Sequence, residues 1–310
     1  MFLTLLLSSF LTLVELNCEN LFDTRHDVGK EDTEFLPDGS HEWTIQRYWA
    51  KQNRIGQEIL SCTSYREELP DLVALIEVEN DAVLTDLTEH SLLKRAGYRY
   101  LMTESPDRRG IDVALLYRHR RFHLICYDYL EVPPLPGMRP TRDILYVQGR
   151  RPSGDTLHVF VVHSPSRLGG ERHSLPNRHQ VVVQLQQRLA ELGPSAHVII
   201  TGDFNDYADS PALLELYALG LHNATSCARG IHGEAQGTYR FRGEWHSLDH
   251  VLVSPLLYNR VDTAYINDAS FLLEDEPQYG GRRPFRTFQN NHYRPGFSDH
   301  LPLVVRFKDI

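Results

Sequence analysis

In the string IITGDFNDYADSP an apolar run delivers the chain into Gly202, Asp203, Phe204, Asn205 and Asp206. A carboxylate and an amide two positions apart at a strand end offer a base and a neutral hydrogen-bonding group. In a phosphodiesterase the carboxylate would orient or deprotonate an attacking water while the amide holds the phosphate. Taken alone, the string is more often an Asp/Asn turn after a strand. Four other apolar runs border polar clusters in the same way: LNCENLF carries Asn17, ALIEVEN carries Glu77 and Glu79, VVHSPSR carries His163 and Arg167, and FSDHLPL carries Asp299 and His300. Each has an ordinary reading as a surface carboxylate or a satisfied histidine. Their recurrence at comparable positions is what suggests convergence on one rim of a core.

Asn17, Glu77 and the acidic neighbour Asp299 are oxygen donors of the kind Mg2+ prefers, with Mn2+ or Ca2+ as alternatives. No compact Cys/His set speaks for zinc. The four cysteines, Cys18, Cys62, Cys126 and Cys227, form no CxxC pair, and their even number does not establish disulfides. His163 and His300 would supply positive donors to a phosphate, and an acidic partner can keep an imidazole charged. Asp249 in SLDHVLVS is the candidate partner of His300. Arg109 in RRGIDV and Arg167 could touch phosphate or form surface salt bridges, with Asp112 as a partner for either.

These residues need elements to hold them. Strands are expected at Leu11 to Asn17 and Leu72 to Ile76, then at YRYLMT, IDVALLYR, FHLICYDYL, DILYVQG, TLHVFVVH, AHVIIT, SLDHVLVS, Arg260 to Ile266 and LPLVVRF. Between Thr44 and Leu60, the residues Ile45, Tyr48, Trp49, Ile55 and Ile59 recur at near-helical spacing. Asp81 to Arg95, capped by Asn80, and Arg172 to Leu192 also read as helices, and SPALLELYAL as a short one with Pro211 near its start. At least two stretches place several strands together without a helix, which a simple alternating sheet explains poorly and a two-sheet core explains better.

The chain has 310 residues, 41% hydrophobic and 24% charged, an ordinary mixture for a protein with a substantial core. Neither a repeat nor a composition break divides it, so 1–310 reads as a single domain. Its formal charge of −9 argues against a surface that coats long duplexes nonspecifically, though not against a local basic groove. Phe2 to Val14 is largely apolar with no Lys or Arg before it. It reads either as an export signal, with residues 1–10 a signal remnant, or as part of a buried first strand. A secreted or periplasmic location is slightly favoured over a cytoplasmic one. The run is too short to span a bilayer as a helix, so no stable membrane insertion is expected.

Together the strings NCENLFD, IEVEN, RRGIDVALLY, VVHSPSR, GDFND, SLDHVLVS and SDHLPL resemble, in order and over nearly the whole chain, the endonuclease/exonuclease/phosphatase superfamily. That superfamily includes DNase I, abasic-site nucleases, neutral sphingomyelinases and inositol polyphosphate 5-phosphatases. The resemblance implies a DNase I-like four-layer α/β-sandwich with two packed mixed β-sheets. It implies a divalent-metal-dependent phosphodiester hydrolase, with endonuclease activity one form of it. The alternatives are a phosphomonoesterase or lipid phosphodiesterase, and a noncatalytic phosphate-binding module. By the same resemblance Asn17 and Glu77 look like the primary metal site, with Asp299 close by. Asp203 looks like the residue that activates water, Asn205 like its substrate-orienting neighbour, His163 and His300 like phosphate contacts, and Asp249 like the acid paired with His300. GTYRFRGEW resembles a substrate-side loop, which makes Tyr239 a candidate substrate contact, although Tyr239 and Trp245 could equally pack the fold. A histidine in HSPS, where abasic-site nucleases carry an asparagine-led motif, lowers DNA repair relative to other phosphoesterase functions. The segment Gln278 to Phe297 interleaves Arg282, Arg283, Arg286 and Arg294 with aromatics. It could stack bases, or pack as an ordered loop under the site, which is the preferred reading. A phosphate-ester substrate, nucleic acid among the candidates, and a monomeric chain complete the expectations.

Overall fold

Every apolar run that borders one of the polar clusters is a strand in the computed structural model, which describes residues 10–63, 68–167, 170–289 and 292–308. Numbered in chain order, the first six-stranded sheet holds β1 (Leu11–Leu21), β2 (Leu72–Val78), β3 (Tyr98–Met102), β4 (Asp112–Arg118), β11 (Val261–Ile266) and β12 (Leu303–Phe307), in the order β11-β12-β1-β2-β4-β3. The second holds β5 (His123–Leu130), β6 (Ile144–Arg150), β7 (Thr156–His163), β8 (His197–Asp203), β9 (His222–Asn223) and β10 (Asp249–Val253), in the order β5-β6-β7-β8-β10-β9. Both are mixed. Each has one parallel pair at its centre, β1–β2 and β7–β8, flanked by antiparallel neighbours.

A parallel pair needs a long crossover, and the two amphipathic segments supply it. The helix α1 (Ile45–Ser61) joins β1 to β2, and α2 (Glu171–Leu192) joins β7 to β8. Thr44 caps α1 by accepting the Arg47 amide at 3.4 Å. Ile55 and Ile59 of α1 pack on Val14, Leu16, Val73 and Leu75. Val181 and Leu185 of α2, with Leu213 of α3 (Pro211–Ala218), pack on Phe160, Val162 and Ile200. Alternation then points Leu72, Ala74 and Ile76 the other way, against Val147, Val159, Val161 and Val251 of the facing sheet. The result is helix, sheet, sheet, helix: a four-layer α/β-sandwich.

Two expectations need correction. Asp81 to Arg95 is not one helix: only Asp81–Thr85 is α-helical, Asp86–His90 is a π turn, and Leu92–Arg95 is a 3-10 turn. Ser91 interrupts it with an extended backbone, and its hydroxyl accepts the Leu93 amide at 3.1 Å. Asn80 does cap the start, accepting the Val83 amide at 3.0 Å. In addition, β1 runs four residues beyond Asn17, through a bulge. Most of the expected signal remnant, 1–9, lies outside the described residues. Leu11, Leu13 and Val14 are fully buried in the central strand β1. All four cysteines are free, and no helix among the described residues is long and apolar enough to cross a membrane.

Candidate active site

The central strands of both sheets end at one edge of the sandwich. His163 is in register with Asp203 at the end of the parallel pair β7–β8, and Asp249 is in register with Asp203 from the antiparallel side, so Asp203 stands between the two. Gly202 makes this approach feasible. Its φ is +142°, and a Cβ there would lie 1.9 Å from the Val162 carbonyl oxygen. Across the gap between the sheets, the Asn17 amide nitrogen donates to Asp203 Oδ2 at 3.2 Å. On β2, Glu77 adopts a left-handed φ of +63° where the register shifts between Ile76 and Val78. Such a bulge turns a side chain out of the pleat toward a site.

Asp203 is 3% exposed, and its Oδ1 accepts the Asn205 amide at 2.7 Å. Burial, reinforced by the Asp249 charge, pushes its carboxyl up to about 7. The two histidines differ. His300 Nδ1 lies 2.8 Å from Asp249 Oδ2, which also accepts the Thr238 hydroxyl. Burial alone would lower the His300 imidazole, but Asp249 outweighs it and raises the ring well above its ordinary value, which favours the charged form. His163 Nε2 lies 3.9 Å from both Glu77 Oε1 and Asp203 Oδ2, within ion-pair range but too far for a hydrogen bond. Its Nδ1 is buried without a partner. Burial, then the charges of Arg142 and Arg109, hold it well below its ordinary value. Neither carboxylate is close enough to hydrogen-bond the ring, so burial favours its uncharged form, where the sequence led us to expect a positive donor.

Asn17, Glu77, His163, Asp203, Asn205 and His300 line an open cavity of about 1470 Å³. Arg109, Arg167, Tyr239 and Asp299 line it too. Arg109 is hydrogen-bonded to the Asn20 side chain, and the Arg167 guanidinium lies 4.5 Å from the centre of the Tyr207 ring. Asp112 pairs with neither arginine: it accepts the Thr103 hydroxyl at 2.5 Å and the Ser105 amide at 3.1 Å, because β4 turns it inward, where those donors lie. The Tyr239 ring lies 4.9 Å from the His300 ring at a tilt of 36°, while Trp245 is partly buried against the core. Asp299 Oδ2 accepts Arg286 at 2.8 Å.

The arginines of the 278–297 segment are tied down. Arg283 and Arg294 hold Glu274, Arg282 holds the carbonyls of Ser270 and Leu273, and Arg286 spans Glu19 and Asp299. Phe288 packs into the core with Trp43. Fixed pairs and buried rings suit the ordered-loop reading better than a base-stacking strip.

Sequence reasoning missed Glu15. It is fully buried and neither of its oxygens has a hydrogen-bond partner. Burial, then Asp249, raises its carboxyl well above the usual range. In the acid form it has a hydrogen to offer Asp249 Oδ1, itself buried and unpartnered. The signal was present, since Glu15 interrupts an apolar run on the same face as Leu11 and Leu13.

A divalent cation fits this donor set. Asn17, Glu77, Asp203 and Asp299 offer hard oxygens, and a carboxyl pushed up to about 7 by burial and by a neighbouring carboxylate marks negative charge with too little compensation nearby. Among the described residues, Asp203, Asp249 and His300 also bring ligand atoms within 4.8 Å of one another. The His300 nitrogen facing that group is already committed to Asp249, so the trio reads more naturally as a hydrogen-bonded pair beside a base.

The sequence profile of the Endonuclease/Exonuclease/phosphatase family matches residues 12–309. No curated protein matches the sequence. Among solved structures, an endonuclease/exonuclease/phosphatase family protein from Bacteroides thetaiotaomicron is similar at 18% identity and a TM-score of 0.62, over 98% of this chain and 99% of that one. The human Nocturnin catalytic domain with bound sulfate is similar at 18% identity and a TM-score of 0.58, over 97% and 98%. A mannosyl-6-phosphatase from Bacteroides thetaiotaomicron is similar at 18% identity and a TM-score of 0.56, over 95% and 98%. At these identities the likeness is one of fold.

Proposed function

Because the chain belongs to the endonuclease/exonuclease/phosphatase family, we propose that it hydrolyses phosphodiesters with a divalent cation, by in-line attack of a water held by Asp203. The observation that carries this reading is the seating of Asp203. Its carboxylate is held by the Asn205 amide and Asn17, and flanked by neutral His163 and the Asp249–His300 pair. Asp203 orients the water and takes its proton. Protonated His300 donates to a phosphate oxygen as charge builds there, and the neutral His163 ring offers a second, uncharged contact. Interactions that strengthen as that charge develops accelerate the step. Glu77 and Asn17 would hold the cation, which when bound supplies charge neutralisation at the phosphate.

The open cavity leaves room for substituents on two sides of a phosphorus, which supports a diester. The phosphomonoesterase reading draws its support from Arg109 and Arg167, which line the same cavity and would meet a dianion. The test measures product from wild type and Asp203→Ala on plasmid DNA, bis-nitrophenyl phosphate and an inositol polyphosphate, each with Mg2+ and with chelator. Mg2+-dependent diester cleavage lost in the variant is expected. Turnover of only the inositol polyphosphate would move the assignment to monoesters, and turnover unaffected by Asp203→Ala would sink the mechanism.

A further inference from the structure

Arg142 lies in the loop between β5 and β6, far in sequence from every group given a chemical role above. It is 7% exposed. A buried guanidinium is expensive unless its partners are well placed, and here two are. Nη1 donates to Asp107 Oδ2 at 3.0 Å, and Nη2 donates to the Ser164 carbonyl at 2.9 Å. Asp107 is itself 5% exposed. The Ser164 carbonyl accepts a second hydrogen bond, from the Asn205 side-chain nitrogen at 3.1 Å. One oxygen therefore joins Arg142 to Asn205.

Asn205 needs such an anchor. It is a non-glycine residue at a φ of +50°, on a turn beyond the end of β8, and its own amide is committed to Asp203 Oδ1. A side-chain amide at a strained turn has several rotamers, and only one presents it usefully to a phosphate. A carbonyl can be met only by the NH2 end of the amide, so Ser164 fixes which end faces it and leaves the second N–H and the oxygen for the cavity. Arg142, held by Asp107, fixes the position and direction of that carbonyl, so its other lone pair is presented to the Asn205 NH2 in one orientation. The Ser164 amide donates to the Asp203 carbonyl at 2.9 Å, which closes the connection back to β8.

We propose that Arg142 is a positioning residue, with Asp107 as its counter-ion: through the Ser164 carbonyl it fixes the side-chain amide of Asn205 for the phosphoryl group. This rests on the phosphoesterase reading above. Arg142 acts on turnover without itself touching the reacting atoms, although it borders the cavity.

The experiment is a double-mutant cycle on the full chain, with bis-nitrophenyl phosphate and Mg2+. Arg142→Met and Arg142→Lys are each combined with Asn205→Ala, and kcat and KM are measured separately. Lysine keeps the cation beside Asp107 but lacks the planar fork that reaches Asp107 and Ser164 from two separate nitrogens, so it serves if the methionine variant does not fold. The expected result is a fall in kcat of about tenfold with KM little changed, and no further fall when the Arg142 change is made in the Asn205→Ala background. A purely structural role would not give that silence. Losses that multiply, a loss confined to KM, or unchanged kcat in the folded variants would each overturn the proposal while leaving the hydrolytic reading standing. Absence of turnover by the wild type would overturn both.

Discussion

Asp203 is asked to be ionised where ionisation is unfavourable. Its folded-state value of about 7 lies above the ordinary 3.8, so between those pH values the folded protein binds more protons than the unfolded one and loses stability as pH rises. Asp203→Asn removes that penalty. It is expected to melt higher than wild type at pH 8, by about 2–4 °C for each ~1 kcal/mol recovered, while turnover falls by ~100-fold or more. A lower melting temperature would contradict the electrostatic account. The Asp249–His300 pair stabilises where Asp203 penalises, but its pH dependence runs the same way. The imidazole is raised above 6.5, so its contribution is complete below that pH and is lost as pH rises through the folded value. Asp249→Asn is therefore expected to cost about 1–3 kcal/mol near pH 6 and less at alkaline pH, as read by urea unfolding at several pH values. At this scale much of the site was legible. Residue types, their order and the Asp249–His300 partnership could be read along the chain. The charge state of His163 could not, because it depends on burial and on Arg142, which reaches the site from another loop. Glu15 and Arg142 stayed hidden for the same reason: their partners lie on other strands and loops.

The elements deliver these groups through two backbone irregularities. Gly202 lets β8 lie against β7, and the bulge at Glu77 turns its carboxylate toward the cavity. Gly202→Ala would place a Cβ 1.9 Å from the Val162 carbonyl at a φ few L-residues adopt. It is expected to cost at least ~3 kcal/mol in urea unfolding, within the range of severe single substitutions. A cost below ~1 kcal/mol would mean that β8 can shift freely, and the seating of Asp203 would lose its basis. Strands and crossover helices were visible because alternation and helical spacing are local. The bulges were not, since a bulge is a mismatch between two partners and only one is present in any window of sequence. The broken helix after Asn80 escaped for a related reason: Leu84, Leu87 and Leu93 are buried as a helix would require, yet Ser91 redirects the backbone between them.

For the whole molecule, a net charge of −9 coexists with a cavity whose wall carries Arg109, Arg142 and Arg167. Such a net charge repels polyanions at long range, while the proposed reaction asks the cavity to accept one phosphate locally. Composition alone pointed only to the first half of that statement. The two-sheet architecture was weakly marked by strand clustering and became readable through the ordered motif set, since periodicity cannot say which strands share a sheet. A cation held by Glu77 binds the folded chain only. Saturating Mg2+ is thus expected to raise the melting temperature of wild type, with ~2.7 kcal/mol available at a hundredfold excess over Kd, and to shift Glu77→Ala far less. An equal shift in both would place the cation elsewhere. The central claim is attack by water at phosphorus, and the measurement that meets it most directly is hydrolysis of bis-nitrophenyl phosphate in H2(18)O with Mg2+, analysed by mass spectrometry. One 18O is expected in the nitrophenyl phosphate product and none in the nitrophenol, with no labelled product from Asp203→Ala. Label in the nitrophenol, or labelled phosphate formed equally well by the variant, would contradict it.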